Sequence, residues 1–113
     1  MNLLLILKIV AAIATFLTGV LALVKPSVVP GFTGLKAEGP RGISEIRSIF
    51  GGLFIGLGLA PLLLGLPVYM MLGIGYLAIA VARVFSIIFD KSYDRSNWIS
   101  LGIEIVLGVI LVI

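Results

Sequence analysis

Four apolar stretches of about twenty residues each, separated by Pro and Gly breaks and one short polar turn, constrain this chain more than any other feature. At 1.5 Å per residue, a helix of that length crosses the ~30 Å hydrocarbon core of a bilayer. A helix also satisfies its own backbone hydrogen bonds there, which an open sheet or a loop does not. The first stretch covers 3–24 and is interrupted only by Lys8. Val20-Leu21-Ala22 resembles a signal cleavage site, but the extreme N-terminus lacks basic side chains and the apolar run is long for a signal. The expectation is a retained helix.

Residues 25–43 change character, with Lys25-Pro26, Pro30-Gly31, Gly34, Gly39-Pro40 and Gly42 breaking any helix. This is the one long loop. Its Val28, Val29, Phe32 and Leu35 give it reason to fold back along the interface or cap the bundle. Its glycines do not form a Gly-x-x-x-x-Gly-Lys-Ser/Thr phosphate loop. A second helix is expected over 44–64, with Ser44 as N-cap, Glu45 in the first turn, and Pro61 kinking it or ending it early. Gly65-Leu66-Pro67 makes a tight turn into a third helix over 67–89. A polar loop at 90–95 leads to a fourth helix over 96–113. The reading is all-α: an up-and-down bundle of four transmembrane helices, one integral membrane domain over 1–113.

Composition agrees, with 61% hydrophobic residues and 12% charged, against about 45–50% apolar in soluble domains. Cys and His are both absent. Thiol redox chemistry, structural zinc and His-based acid catalysis are therefore unavailable, and neither a metal nor a cofactor is expected. The net charge of +3 bears on membrane orientation rather than on nucleic acid. Lys25, Lys36, Arg41, Lys91 and Arg95 fall in the loops after helices one and three, whereas the other side offers only the amino terminus and Lys8, read as snorkelling. The expectation is a multi-pass protein of the cytoplasmic membrane with loops 25–43 and 90–95 inside and both termini outside. Tyr93 and Trp98 suit the inner interface and Tyr69 the outer one.

Ser48, Gly52, Gly56 and Ala60 recur every four residues on the second helix, a small-residue face that permits close helix packing, either within one chain or between chains. Ala11, Thr15 and Gly19 repeat the device on the first helix, and Ala78, Ala82 and Ser86 on the third. Charge inside the membrane is costly and is usually paired, lining a cavity, or functional. Arg47, Arg83 and Glu104 lie roughly 5, 9 and 12 Å from the inner ends of their helices. Glu45 sits just above them. Glu104 shares its helix face with Ser100 and Gly108, so it should point inward. The expected cluster pairs Glu104 with Arg83 or Arg47, with Tyr76 completing the hydrogen bonds.

With Glu45-Ile46-Arg47-Ser48-Ile49-Phe50-Gly51-Gly52, then Gly56 and Ala82-Arg83, the chain resembles a bacterial family of small four-helix membrane proteins of unknown function, distantly similar to DoxX-like membrane proteins. The resemblance implies that Glu45, Arg47, Phe50, Gly51, Gly52, Arg83 and Glu104 occupy its characteristic positions. It implies the four-helix architecture and no defined activity. Small multidrug transporters differ by carrying a carboxylate in the first helix, where this chain has Lys8, and the Gly-rich Arg motif of dimeric fluoride channels is missing. No catalytic residue is assigned, because no two candidates stand at a diagnostic spacing. The expected role is a non-enzymatic structural or accessory membrane component. The alternative is a small transporter or an amphiphile-binding protein centred on the Glu/Arg cluster. Expected partners are membrane lipids and a second copy or another membrane protein, with no nucleic acid.

Overall fold

The computed structural model describes residues 2–113. Five helices follow one another: α1 (Leu3–Val24), α2 (Val29–Thr33), α3 (Gly39–Leu64), α4 (Leu66–Phe89) and α5 (Arg95–Val112). No strand occurs among the described residues. All but α2 are long and apolar enough to cross a membrane. The longest dimension of the molecule, 44 Å, matches the ~40–45 Å thickness of a bilayer with its headgroups.

Local chemistry explains most of the boundaries. Asn2 caps α1 by accepting the Leu5 N–H at 2.7 Å, and Pro26 follows just beyond its end. Gly65, at φ +92°, is the whole connection between α3 and α4, a backbone conformation other residues resist. So short a link forces α3 and α4 to run antiparallel side by side.

The second membrane helix differs from expectation at its start. It begins at Gly39 rather than Ser44, with Pro40 in the first turn and Glu38 at the cap. Proline is preorganised for that position and loses nothing by lacking an N–H there. Ser44 is therefore an interior residue and caps nothing. The segment expected as loop, 25–43, is correspondingly ordered: a 3₁₀ turn at Pro26–Val28, then α2, leave only Lys25 and residues 34–38 irregular before α3. Pro61 does not end α3, which continues to Leu64. α4 and α5 each begin one residue earlier than expected.

Within α3, residues Ile46–Leu53 adopt the wider π-helical hydrogen bonding. This displaces the faces that a period of 3.6 would bring together. Gly51 and Gly58, not Gly52 and Gly56, meet α1. A Cβ at Gly58 would lie 2.6 Å from the Ala12 carbonyl oxygen, and one at Gly19 would lie 2.6 Å from the Ile55 nitrogen. A Cβ at Gly56 would touch nothing, and Ser48, Gly52 and Gly56 are exposed while Ala60 is half-buried. The expected packing stripe Ser48, Gly52, Gly56, Ala60 thus does not make the close contact within the chain. On α4, Ala78 and Ala82 are likewise exposed. The α1 stripe does pack, with Ala11, Thr15 and Gly19 all buried.

The four long helices form two close pairs, α1 with α3 and α4 with α5. Two apolar clusters tie them together. Ala11, Ala12, Tyr69, Leu72 and Leu111 form one, and Ala22, Val29 and Ile46 the other, where α2 folds back under the bundle. Outward faces are apolar too, with Leu17 56%, Leu63 72%, Val81 71% and Ile103 54% exposed. Water would tolerate no such continuous surface, whereas lipid tails match it.

Candidate functional site

The polar centre of the bundle is built from α4 and α5. Arg83 donates from Nε to Glu104 Oε1 at 2.7 Å and from Nη2 to Oε2 at 2.6 Å. This is the planar fork that a guanidinium presents to a carboxylate. Arg83 Nη1 donates to Asn97 Oδ1 at 2.6 Å, and Asn97 Nδ2 in turn donates to the Ser92 carbonyl and hydroxyl oxygens at 3.1 and 3.0 Å. Glu104 is 8% exposed, so its charge depends on that pairing. The expected Glu104–Arg83 pair is therefore present, on the inward face of α5 as its spacing with Ser100 and Gly108 implies.

The other expected members stand elsewhere. Arg47 does not reach Glu104: its Nη1 donates to the Leu23 carbonyl at 2.8 Å, satisfying one of the last carbonyls of α1. Both groups lie where α1 ends, and a free helix carbonyl is a nearer acceptor than a carboxylate already held twice. Glu45 pairs with Arg41 one turn earlier and is exposed. It lines a separate surface cleft of about 460 Å³ with Leu35, Lys36 and Phe50. Tyr76 does not complete the hydrogen bonds of Glu104. Its hydroxyl meets Thr15 Oγ1 at 2.5 Å, and Thr15 donates its own proton to the Ala11 carbonyl at 2.9 Å, so the tyrosine is the donor to threonine. Tyr76 thus ties α4 to α1. Lys8 is 6% exposed, and because no buried side-chain nitrogen lacks a hydrogen-bond partner among the described residues, its unbonded ammonium reaches the surface from a buried stem, the snorkelling arrangement expected.

Asn97 and Ser92 are site residues that the sequence did not single out, and Thr15, expected only as a packing residue of the first helix, is also the hydrogen-bond partner of Tyr76. Asn97 carried a usable signal, because it precedes Glu104 by seven residues and so lies on the same face of α5.

Beside the ion pair lies a cavity of about 310 Å³ to which all five helices contribute. Phe50, Phe54, Ile103 and Leu107 make apolar walls, and Arg83, Glu104 and Tyr76 form its polar side. A smaller, polar cavity of about 80 Å³ adjoins it, lined by Ser92, Asp94, Ser96 and Asn97. Phe32 and Thr33 of α2, with Arg83 and Ser100, line both. No group of three or more Asp or Glu residues that could hold a metal ion occurs among the described residues.

Four apolar helices around a small polar centre define a small multi-pass membrane protein. The chain belongs to the family described as domain of unknown function DUF4345, whose model matches residues 3–113. No curated protein and no solved structure matches it.

Proposed function

We propose that the protein is a non-enzymatic amphiphile-binding component of the cytoplasmic membrane. The observation that carries this reading is that the Arg83–Glu104 pair borders a cavity of about 310 Å³ instead of being sealed between helices. That volume lies at the small end of the ~300–1,000 Å³ range of ligand pockets, and the mix of apolar walls with a few convergent polar groups is typical of them. The structural or accessory role expected from sequence is the second reading, favoured by the complete pairing of Glu104, which lets the cluster serve as interhelical glue. The distant likeness to DoxX-like proteins and the orientation, with 25–43 and 90–95 cytoplasmic, belong to the same proposal. Orientation rests on Lys25, Lys36, Arg41, Lys91 and Arg95.

The experiment is thermal unfolding in mild detergent with single-chain amphiphiles added below their micellar concentration. A ligand at a hundred times its Kd stabilises by about 2.7 kcal/mol. Ala14→Phe fills the cavity from α1 and should fold normally while abolishing that gain. An equal gain in the filled variant would locate the amphiphile elsewhere and defeat the proposal.

A further inference from the structure

We propose that Lys8 and Tyr69 hold the phosphate of one anionic phospholipid at the end of the bundle opposite Arg83. This site is separate from the cavity beside Glu104 and does not depend on amphiphile binding there.

Charge distribution leaves Lys8 without a partner inside the chain. It is the only charged side chain of α1, and 48–82 and 105–113, which supply the rest of this end, contain none. Of the five acids, Glu104 is held by Arg83, and Glu38, Glu45, Asp90 and Asp94 lie at the opposite end of the bundle. Neither Lys8 nor the Tyr69 hydroxyl makes an ion pair or hydrogen bond among the described residues. A charge this close to hydrocarbon is ordinarily paired. Its anion comes from outside the chain.

Helix register brings the two residues together. Gly51 faces Leu23 and Gly58 faces Ala12, so α1 and α3 are antiparallel. Because α3 and α4 are antiparallel as well, α1 and α4 run in the same direction. Their register is tied where Tyr76 bonds Thr15. Seven residues back along both helices stand Lys8 and Tyr69, and a seven-residue step returns close to the same face. Tyr69 accordingly packs in one cluster with Ala11 and Ala12, one turn beyond Lys8. Both stems are buried, at 6% exposure for Lys8 and 4% for Tyr69. Their polar tips nonetheless reach the surface, since no buried side-chain nitrogen or oxygen lacks a partner among the described residues. Helical side chains lean toward the N-terminus of their helix, and for α1 and α4 that end is this face of the membrane. Lys8, about 8 Å below the start of α1, thus delivers its ammonium toward headgroup level. An ordinary snorkelling lysine sweeps across lipid. Here the buried stem fixes the cation beside a phenol, and an ammonium with a hydroxyl suits the oxygens of a phosphate. Leu3, Leu66 and Ile113 at the helix ends are 71%, 57% and 68% exposed, an apolar collar that favours a phosphate carried by a lipid over one in solution. With no carboxylate at this end to receive a headgroup ammonium, the site selects an anionic over a zwitterionic phospholipid.

The test uses the full chain with Trp98→Phe and Leu66→Trp, reconstituted in phosphatidylcholine vesicles. Leu66 is exposed and lies one turn before Tyr69, so the single indole samples lipid at this end and not at the basic loops. Phosphatidylglycerol or phosphatidylcholine with brominated chains then replaces the host lipid stepwise and quenches the indole on contact. Half-maximal quenching by the anionic lipid at about fivefold lower mole fraction is the expected result. Lys8→Gln, which keeps the stem, should abolish that preference, and Lys8→Arg should retain it. Tyr69→Phe should weaken phosphatidylglycerol about threefold and leave phosphatidylcholine unchanged. Equal quenching by the two lipids, or an undiminished preference in Lys8→Gln, overturns the site. Release of the brominated phosphatidylglycerol by millimolar inorganic phosphate assigns the site to the free anion and overturns the lipid. Circular dichroism checks the fold of each variant. Should Lys8→Gln not fold, Tyr69→Phe decides, and unchanged quenching there overturns the site.

Discussion

Replacing Arg83 by alanine removes both donors from the Glu104 carboxylate and the donor from Asn97 Oδ1 in one step. A buried ion stripped of its partner generally costs ~3–5 kcal/mol. The side chains are 29% exposed for Arg83 and 11% for Glu104, so the cavity relieves part of the penalty and the lower end, ~3 kcal/mol, is expected. Glu104→Gln is milder. It keeps one acceptor for the guanidinium, and the more exposed Arg83 retains Asn97, so the loss should be ~1–2 kcal/mol. The double variant leaves no orphaned charge, so its loss should fall short of the sum by ~1–3 kcal/mol. Reversible unfolding of the four proteins in one mild detergent measures all three quantities. Additivity within ~0.5 kcal/mol would show that the two side chains act independently and would refute the pairing as a source of stability.

The helix contacts make equally specific predictions. Gly58→Ala sets a methyl against the α1 backbone at Ala12 and Phe16, and should lower stability by ~1–3 kcal/mol. Gly56→Ala meets open space and should raise stability by ~0.5–1 kcal/mol through helix propensity. Thermal unfolding of the pair, two residues apart, distinguishes the π-shifted register from the regular one. Tyr76→Phe should cost ~1 kcal/mol, and the cost should vanish in a Thr15→Ala background, where the acceptor is gone. Cysteines introduced at Ser27 and Ser92 should react with an impermeant thiol reagent only after the cytoplasmic face is opened. Labelling of intact cells would invert the orientation.

Most of the architecture was legible because membrane helices announce themselves by length and polarity alone. The third turn, Gly65-Leu66-Pro67, was legible for the same kind of reason, since a glycine beside a proline has few local options. The start of α3 was misplaced because two signals competed. Ser44 is a good cap by type, yet Pro40 nucleates the first turn earlier. The close contact of α3 within the chain falls on Gly51 and Gly58 instead, because spacing by four assumes an unbroken α-helix, and Ile46–Leu53 is not one. Of the polar cluster, Glu104 and Arg83 were readable, being placed by the periodicity of single helices and drawn together by charge. Arg47, Glu45 and Tyr76 were not, because their partners are a carbonyl of α1, a neighbour on the same helix and the hydroxyl of Thr15. Rotation about the helix axes, which decides who meets whom, is a property of packing and has no one-dimensional signature.

The claim on which the rest depends is that the cavity beside Arg83 and Glu104 is a binding site. Native mass spectrometry of the protein extracted with its surrounding bilayer in polymer nanodiscs, without detergent, tests it most directly. The account predicts a bound small amphiphile at one per chain in the unmodified protein that is absent from Ala14→Phe. The same adduct in both proteins, or none in either, would contradict it.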